Sequence, residues 1–474
     1  MIAILSALIL IIAATGGWLR IRRYQGWFHL PTRRTDKFPC CGSHHTIAVL
    51  VGAEGFDLPS GHDLMGRTVF LQVTIKSSLL GHLLDPYIEF QAGQLAYRQY
   101  FERGAGGSRF LNLSPFFQSN TQATIQHVGL RGSCMSWERV ASLVAYDPPV
   151  IDGANVLVLA PHPDDAEIAA FGMYRDRRSW VVTITAGERA TGNLPQDIPM
   201  TARAGWAARL RVIDSHTVPQ LGQVPPDRRL NLAYPDGALE SMHREPSRAF
   251  SLVCEDSLSR GQLRSQNHTP EFRSGNAGCT WNDLVEELRL LLELSQPDIV
   301  VCPHPLIDSH SDHIFTTVAL ERAMSLVEGK RPVLFLYAVH NSGAPSYPFG
   351  PAESLVGLPP GRHGGWVADS IHSLPLEPEI RQSKYFAVEA MHAVRRYDDG
   401  APRDGLKFLK SMRREFFAYI AGMGVDPASF LRRAPRPNEI YYVVRGEALP
   451  DLIERIQTIS VSARGALLES KPGK

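Results

Sequence analysis

Residues 155–167, Asn-Val-Leu-Val-Leu-Ala-Pro-His-Pro-Asp-Asp-Ala-Glu, decide the fold. The stretch from Asn155 to Ala160 is almost wholly apolar, as in a strand buried on both faces of a parallel sheet. A proline-flanked turn follows, and a helix is expected from about Ala166. In open α/β sheets ligands bind outside the carboxyl ends of strands. One imidazole and two carboxylates (His162, Asp164 and Asp165) therefore converge at a sheet edge, on a turn stiffened by Pro161 and Pro163.

The same pattern recurs downstream. Trp180-Val-Val-Thr-Ile-Thr185 reads as a second buried strand, and Thr201 to Val212 as a helix. Thr280 to Leu294 is amphipathic: Thr280 suits an N-cap, while Trp281, Leu284, Val285, Leu288 and Leu292 share a face. Pro297 ends it. Asp298-Ile-Val-Val-Cys302 and Pro332-Val-Leu-Phe-Leu-Tyr-Ala338 are further strands. Strand alternating with helix implies an α/β sheet.

After the strand ending at Cys302 comes Asp308-Ser-His-Ser-Asp-His313. His310 and His313 are expected on one face of a helix, at the same sheet edge as His162. Either motif alone is open to a plainer reading as a helix cap or surface decoration. Together, each behind its own buried strand, they point to a metal site. Two histidines and a carboxylate are the ligand set of a catalytic zinc with an open position. The remaining carboxylate then suits a general base, and the remaining histidine an oxyanion or leaving-group donor. Hydrolysis at a carbonyl is the chemistry implied.

On these residues the chain from about 152 to 340 resembles the PIG-L/LmbE family of zinc-dependent de-N-acetylases, whose [A/P]-H-P-D-D and H-x-D-H motifs both occur in order. Thr185-Ala-Gly-Glu-Arg-Ala-Thr-Gly-Asn193 resembles the family's G-E-R-G-T loop, and Leu232-Ala-Tyr-Pro-Asp-Gly-Ala-Leu239 its Y-P-D-G segment. The resemblance implies a Rossmann-like, mostly parallel sheet. It implies His162, Asp165 and His313 as metal ligands, Asp164 as general base, and His310 at the oxyanion and leaving group, oriented by Asp312. It places Glu188, Arg189, Arg203 and Asp236 at the substrate. The implied ion is Zn2+, with Fe2+ also compatible. Two departures bear on the substrate pocket: Ile168-Ala-Ala-Phe171 where the family often has a glycine run, and Trp206 where a glutamate is common.

Outward from this core, residues 149–468 are assigned to the deacetylase-like domain, with 237–279 as a polar insertion and 469–474 as a tail. Residues 44–148 read as a small β-rich domain of unknown role, from the strand-like runs 68–77, 87–101 and 122–130. Residues 24–43 are a juxtamembrane linker. Met1 to Leu19 holds no charged side chain and, as a helix, reaches roughly 28 Å, close to a bilayer core. Arg20, Arg22 and Arg23 follow it. A signal peptide carries its charge before the apolar stretch, so 1–23 is read as a single-pass anchor with the catalytic domain on the cytoplasmic side.

The charge balance of 49 basic against 48 acidic residues excludes the basic excess of a nucleic-acid binder. Six scattered cysteines form no framework. His44-His45, Cys40-Cys41 and His392 take plain linker or surface readings. His340-Asn341 ends a strand and is read first as ordinary packing, with reach into the pocket as the alternative. The expected substrate is an N-acetylated amino sugar of GlcNAc or GalNAc type, lipid-linked as in a lipopolysaccharide or polysaccharide precursor. The rival readings are a soluble small-molecule deacetylase and a non-catalytic glycan-binding scaffold working through residues 44–148.

Overall fold

A computed structural model describes residues 44–455, except 83, 119–124, 193, 196, 255–257, 274–277, 342, 343, 345, 360–367 and 395–428. The apolar stretch 1–19 and the linker that follows it lie outside the described residues. Among the described residues, no helix is long and apolar enough to cross a membrane.

The first hundred described residues form eight strands: β1 (His44–Leu50), β2 (Gly55–Asp57), β3 (Thr68–Ser77), β4 (Tyr87–Ala92), β5 (Leu95–Tyr100), β6 (Gly106–Asn112), β7 (His127–Ser133) and β8 (Met135–Tyr146). They make two antiparallel four-stranded sheets, ordered β1-β8-β3-β6 and β2-β7-β4-β5. The run 87–101 is not one strand. It is a hairpin, β4 to β5, turned at Gly93 with a positive φ of 59°. Val73, Ile75, Ile88, Phe90, Val128, Leu130 and Leu143 fill the space between the sheets.

From Asn155 strands and helices alternate: β9 (Asn155–Ala160), α1 (Asp165–Ala169), β10 (Arg178–Thr185), α2 (Met200–Thr217), β11 (Arg229–Tyr234), α3 (Leu239–Arg244), α4 (Arg260–Arg264), α5 (Trp281–Ser295), β12 (Ile299–Pro303), α6 (Ser311–Met324) and β13 (Val333–Tyr337). The chain closes with β14 (Ser370–Pro375), α7 (Pro378–Ala390), α8 (Phe430–Arg433) and β15 (Asn438–Arg445). The seven-stranded sheet runs β11-β10-β9-β12-β13-β15-β14. Its first five strands are parallel, and β15 and β14 add antiparallel pairs. Parallel strands need both faces covered, and β9 and β12 are buried almost throughout. After β9 the chain winds outward to β10 and β11, then returns to place β12 on the other flank of β9. The order reverses between β9 and β12, and such a switch point opens a crevice at the strands' carboxyl ends.

The helix from Trp281 starts with a capping box in which Thr280 and Asp283 satisfy each other's backbone N–H groups. The described part of 237–279 does not stand wholly clear of the core. Leu252, Leu258 and Leu263 pack against Ala208 and Val212. The Arg260 and Arg264 guanidiniums turn inward to the buried Glu287 carboxylate, which is why a polar sequence still covers core.

The β-rich unit is joined to the edge of the large sheet. Phe70, Phe110, Val144 and Tyr146 share one apolar core with Leu358, Ala368 and Ile371. The edge strand β14 is tied across: Ser373 N–H donates to Thr68 Oγ1 at 3.0 Å, and Asn112 Nδ2 donates to Ser373 Oγ at 2.9 Å and to Val356 O at 3.0 Å. An exposed edge strand invites foreign pairing, and the small sheets cover this one. Asn112 is fully buried, and its Oδ1 accepts the Ser114 N–H at 3.1 Å, so Asn112→Ala removes the ties to Ser373 and Val356 and leaves that buried donor unmet. We expect it to cost about 1–3 kcal/mol, measured as a lowered urea midpoint with unchanged slope. An unchanged midpoint would mean that the two units are not coupled through β14.

Candidate metal centre

Both motifs emerge in the crevice between β9 and β12. The Pro161-His162-Pro163-Asp164 turn leads from β9 into α1, and the 304–310 loop leads from β12 into α6. His162 Nδ1 lies 3.3 Å from Asp165 Oδ2, His313 Nε2 lies 3.1 Å from the same oxygen, and the two ring nitrogens are 3.2 Å apart. A tetrahedral ion with ligands at about 2.0–2.1 Å separates its donors by little more than 3 Å, so these three atoms fit such an ion as they stand.

The far side of each ring fixes which nitrogen faces inward. His313 Nδ1 is 3.0 Å from Asp308 Oδ2, which leaves Nε2 as the lone-pair donor. His162 Nε2 is 3.2 Å from Asp312 Oδ2 and 3.3 Å from Asp236 Oδ1, which turns Nδ1 toward the other two donors. Carboxylates behind ligating histidines commonly set ring orientation and basicity. Asp165, Asp236, Asp308 and Asp312 are all buried, an excess of negative charge that calls for a cation. It shows in the rings. Burial opposes protonation of His162, yet its hydrogen bonds to Asp165, Asp236 and Asp312 hold it well above the usual imidazole range. For His313 burial is outweighed by Asp165 and Asp308, which push it up to about 9. The donor chemistry and the surplus charge both suit a divalent ion.

Asp164 stands apart from the donor triad. Its φ of 135° is unusual for a residue with a side chain, and the Arg211 guanidinium, reaching in from α2, meets its Oδ1 at 3.2 Å and donates to Pro163 O at 2.7 Å. Burial drives the Asp164 carboxyl up to about 7 against the pull of Arg211, a range suited to a base working near neutrality. Arg211 passes over Gly187 (φ 68°), where a Cβ would come within 2.7 Å of its Nε. That contact explains the glycine of the 185–193 loop.

His310 is not on the helix with His313. It is the N-cap of α6, and its Nδ1 accepts the Asp312 N–H at 3.2 Å. Its ring lies 4.7 Å from that of His162 and 5.1 Å from that of His313, centroid to centroid. With Nδ1 occupied as an acceptor, a neutral ring carries its proton on Nε2. Burial, with His162 and His313, holds the ring below the usual imidazole pKa.

Several expected roles shift. Asp312 orients His162 rather than His310: besides its contact with His162 Nε2, it accepts Gly237 N–H at 2.6 Å and Leu239 N–H at 3.2 Å. Asp236, expected at the substrate, backs the same ring. Glu188 is fully buried and accepts the Asp236 N–H through both oxygens, at 3.1 and 3.2 Å, so it braces the turn at 235–237 and does not face a ligand. Arg203 gives its donors to the carbonyls of Thr191, Leu194, Pro195 and Ile198, which makes it a clasp for that loop. Only Arg189 of the four is exposed, its guanidinium beside Gly237 at the rim. Trp206 faces outward on α2, 54% exposed.

Two residues were not singled out for a role in the sequence, Asp308 and Arg211, while His340, read first as ordinary packing, lies with its ring 4.9 Å from that of His313. Asp308 stood inside the quoted motif, five residues before His313, but its target was not evident. We expect Asp308→Ala to keep the fold and weaken metal affinity by about 10–100-fold, measured by competition with a chelator. Affinity equal to the wild type would remove the positioning role.

Residues 157–324 match the family model described as PIG-L: GlcNAc-PI de-N-acetylase. No curated protein sequence matches the chain. Solved structures similar to it include the N,N'-diacetylchitobiose deacetylase from Pyrococcus horikoshii (16% identity, 63% of this chain and 87% of that one, TM-score 0.32) and the zinc-inhibited form of the teicoplanin deacetylase Orf2 (18%, 61% and 98%, TM-score 0.31). The 4-carboxy-2-hydroxymuconate hydratase GalB of Pseudomonas putida is another (13%, 61% and 94%, TM-score 0.31). Through the segment 157–324, with its motifs gathered at one switch point, the chain carries a match to the PIG-L de-N-acetylase family model.

Proposed function

We propose that the protein removes the acetyl group from an N-acetylated amino sugar, carried on a lipid-linked or envelope glycan, and that the ion it uses is zinc. The observation that carries this reading is the three-donor cluster of His162 Nδ1, Asp165 Oδ2 and His313 Nε2, 3.1–3.3 Å apart, flanked by an unligated carboxylate and an unligated imidazole. An ion held by those three residues supplies Lewis acidity toward the acyl oxygen and the attacking water.

The chain's own groups account for the proton movements. Asp164 takes a proton from water as the water oxygen bonds to the amide carbon. The His310 Nε2–H faces the acyl oxygen as charge develops there. When the C–N bond breaks, the amine leaves with a proton returned through Asp164 or His310, and acetate is released. Asp236, Asp308 and Asp312 hold the rings, and Arg211 holds Asp164. Arg189, exposed at the rim, meets the sugar in this reading.

The lipid-linked substrate is supported by the uncharged stretch Met1 to Leu19 and the arginines after it. Such a segment would hold the enzyme at a membrane, with the catalytic domain on the cytoplasmic side, and raise its effective concentration toward lipid-borne glycans. Mass spectrometry of envelope glycolipids from cells making wild type or Asp164→Asn tests the reading. A wild-type-dependent loss of one acetyl mass from an amino-sugar species supports it. Identical spectra, together with acetate release from soluble N-acetyl sugars by the purified protein, would replace it with the small-molecule reading.

A further inference from the structure

Four imidazoles meet at the crevice, and the reading above uses three. His340 is the fourth. Its backbone is fixed on both sides: the N–H donates to Asp308 Oδ2 at 3.1 Å and the carbonyl accepts Ser309 N–H at 2.9 Å. Asp308 therefore places two rings, His313 through its side chain and His340 through its main chain.

The His340 ring stands edge-on to His313, centroids 4.9 Å apart, and beside His310 at 5.4 Å. Phe430 closes its outer side at 6.2 Å. One ring nitrogen of His340 lies within 4.8 Å of donor atoms of Asp165 and His313, as one of His310 does with His162 and His313. The two histidines thus flank the three-donor cluster, His310 on the His162 side and His340 on the Asp165 side. No described residue hydrogen-bonds to the His340 ring. Among the described residues, then, nothing takes up the ring's donor and acceptor beside the reaction centre.

We propose that His340 is a catalytic residue: a second oxyanion donor whose ring N–H, with that of His310, hydrogen-bonds the acyl oxygen as it becomes negative. Two N–H groups meeting one oxygen at about 2.7–3.1 Å lie no more than about 6 Å apart, a separation that ring centroids 5.4 Å apart allow. As water adds to the amide carbon, the carbonyl π pair moves onto oxygen, and both hydrogen bonds strengthen. As the C–N bond breaks, that pair returns and both relax. His340 neither gains nor loses a proton, so its contribution is to the transition state and not to binding. The proposal rests on the deacetylase reading.

The test compares full-length wild type, His340→Ala and His340→Gln, each zinc-loaded. For His340→Ala we expect kcat lower by about 10²–10³-fold, with KM, zinc per chain and thermal midpoint as in the wild type. His340→Gln keeps an N–H donor and should recover at least tenfold of the lost kcat. Loss of zinc from His340→Ala would make His340 a ligand and overturn the proposal, and so would an unchanged kcat. If the wild type itself releases no acetate, the deacetylase reading fails. The proposal is then judged by calorimetric titration with acetohydroxamate, whose anion carries negative charge on the acyl oxygen as the transition state does and so probes the same donors. About tenfold weaker binding by His340→Ala upholds the donor role, and equal binding overturns it.

Discussion

Asp164→Asn retains its metal and loses hydrolysis, with kcat reduced by about 10²–10⁴-fold, the usual worth of a positioned general base. The argument begins with the backbone. Asp164 sits at φ 135°, and asparagine is among the side chains that best tolerate positive φ, so the turn between β9 and α1 keeps its shape. The substitution is close to isosteric, and an amide oxygen can still accept from Arg211 Nη2, which is also held by Pro163 O. Burial already pushes the Asp164 carboxyl up to about 7, so a neutral side chain is well tolerated there. The three donor atoms belong to His162, Asp165 and His313, and none is touched. What disappears is the only group in the turn that can accept a proton from water without releasing the ion. Metal content by atomic emission and acetate release, measured on the same sample, separate the two effects. Full activity in Asp164→Asn would remove the assigned base. Loss of metal would place Asp164 among the ligands.

How much of this was legible depends on the range of each interaction. The strands at 155–160 and 299–303 show in the sequence because burial on both faces leaves an unbroken apolar run. The motif after each is adjacent in sequence, so the sheet edge and the donor triad could be placed together. The helix from Trp281 announces its start through Thr280 and its buried face through spacing. What lies behind the donors was hidden, because the partner of a ring's second nitrogen is set by folding. Asp312, two residues from His310, looked like that histidine's support. It instead reaches His162, 150 residues earlier, and only its backbone N–H serves His310. Arg211 is 47 residues from the carboxylate it holds, with no local mark beyond an Ala- and Arg-rich helix. Arg203 and Glu188 matched family positions, but their hydrogen bonds are spent on backbone. The edge strand β14 had no such mark, because part of its burial comes from the β-rich unit, a contact between segments some 300 residues apart.

The second large effect is expected at the ligands. His162→Ala should hold no metal and show no turnover. The loss is greater than that of one donor, because the ring stands between two groups of carboxylates. Its Nδ1 faces Asp165, and its Nε2 faces Asp236 and Asp312. Without the ring, three buried carboxylates repel one another with His313, Arg211 and backbone N–H groups left to offset them, a costly arrangement in a dry site. Two remaining donors bind a divalent ion far less tightly than three in preset geometry. The consequence also appears without any substrate. An ion that binds only the folded chain stabilises it by RT ln(1 + [L]/Kd), about 2.7 kcal/mol at a hundredfold over Kd. Wild-type protein stripped with a chelator should therefore gain thermal midpoint as zinc is returned, and Asp164→Asn should gain as much. His162→Ala should start lower and stay flat. If His162→Ala responds to zinc as the wild type does, the ion is held elsewhere, and the surplus carboxylates around His162 need another explanation.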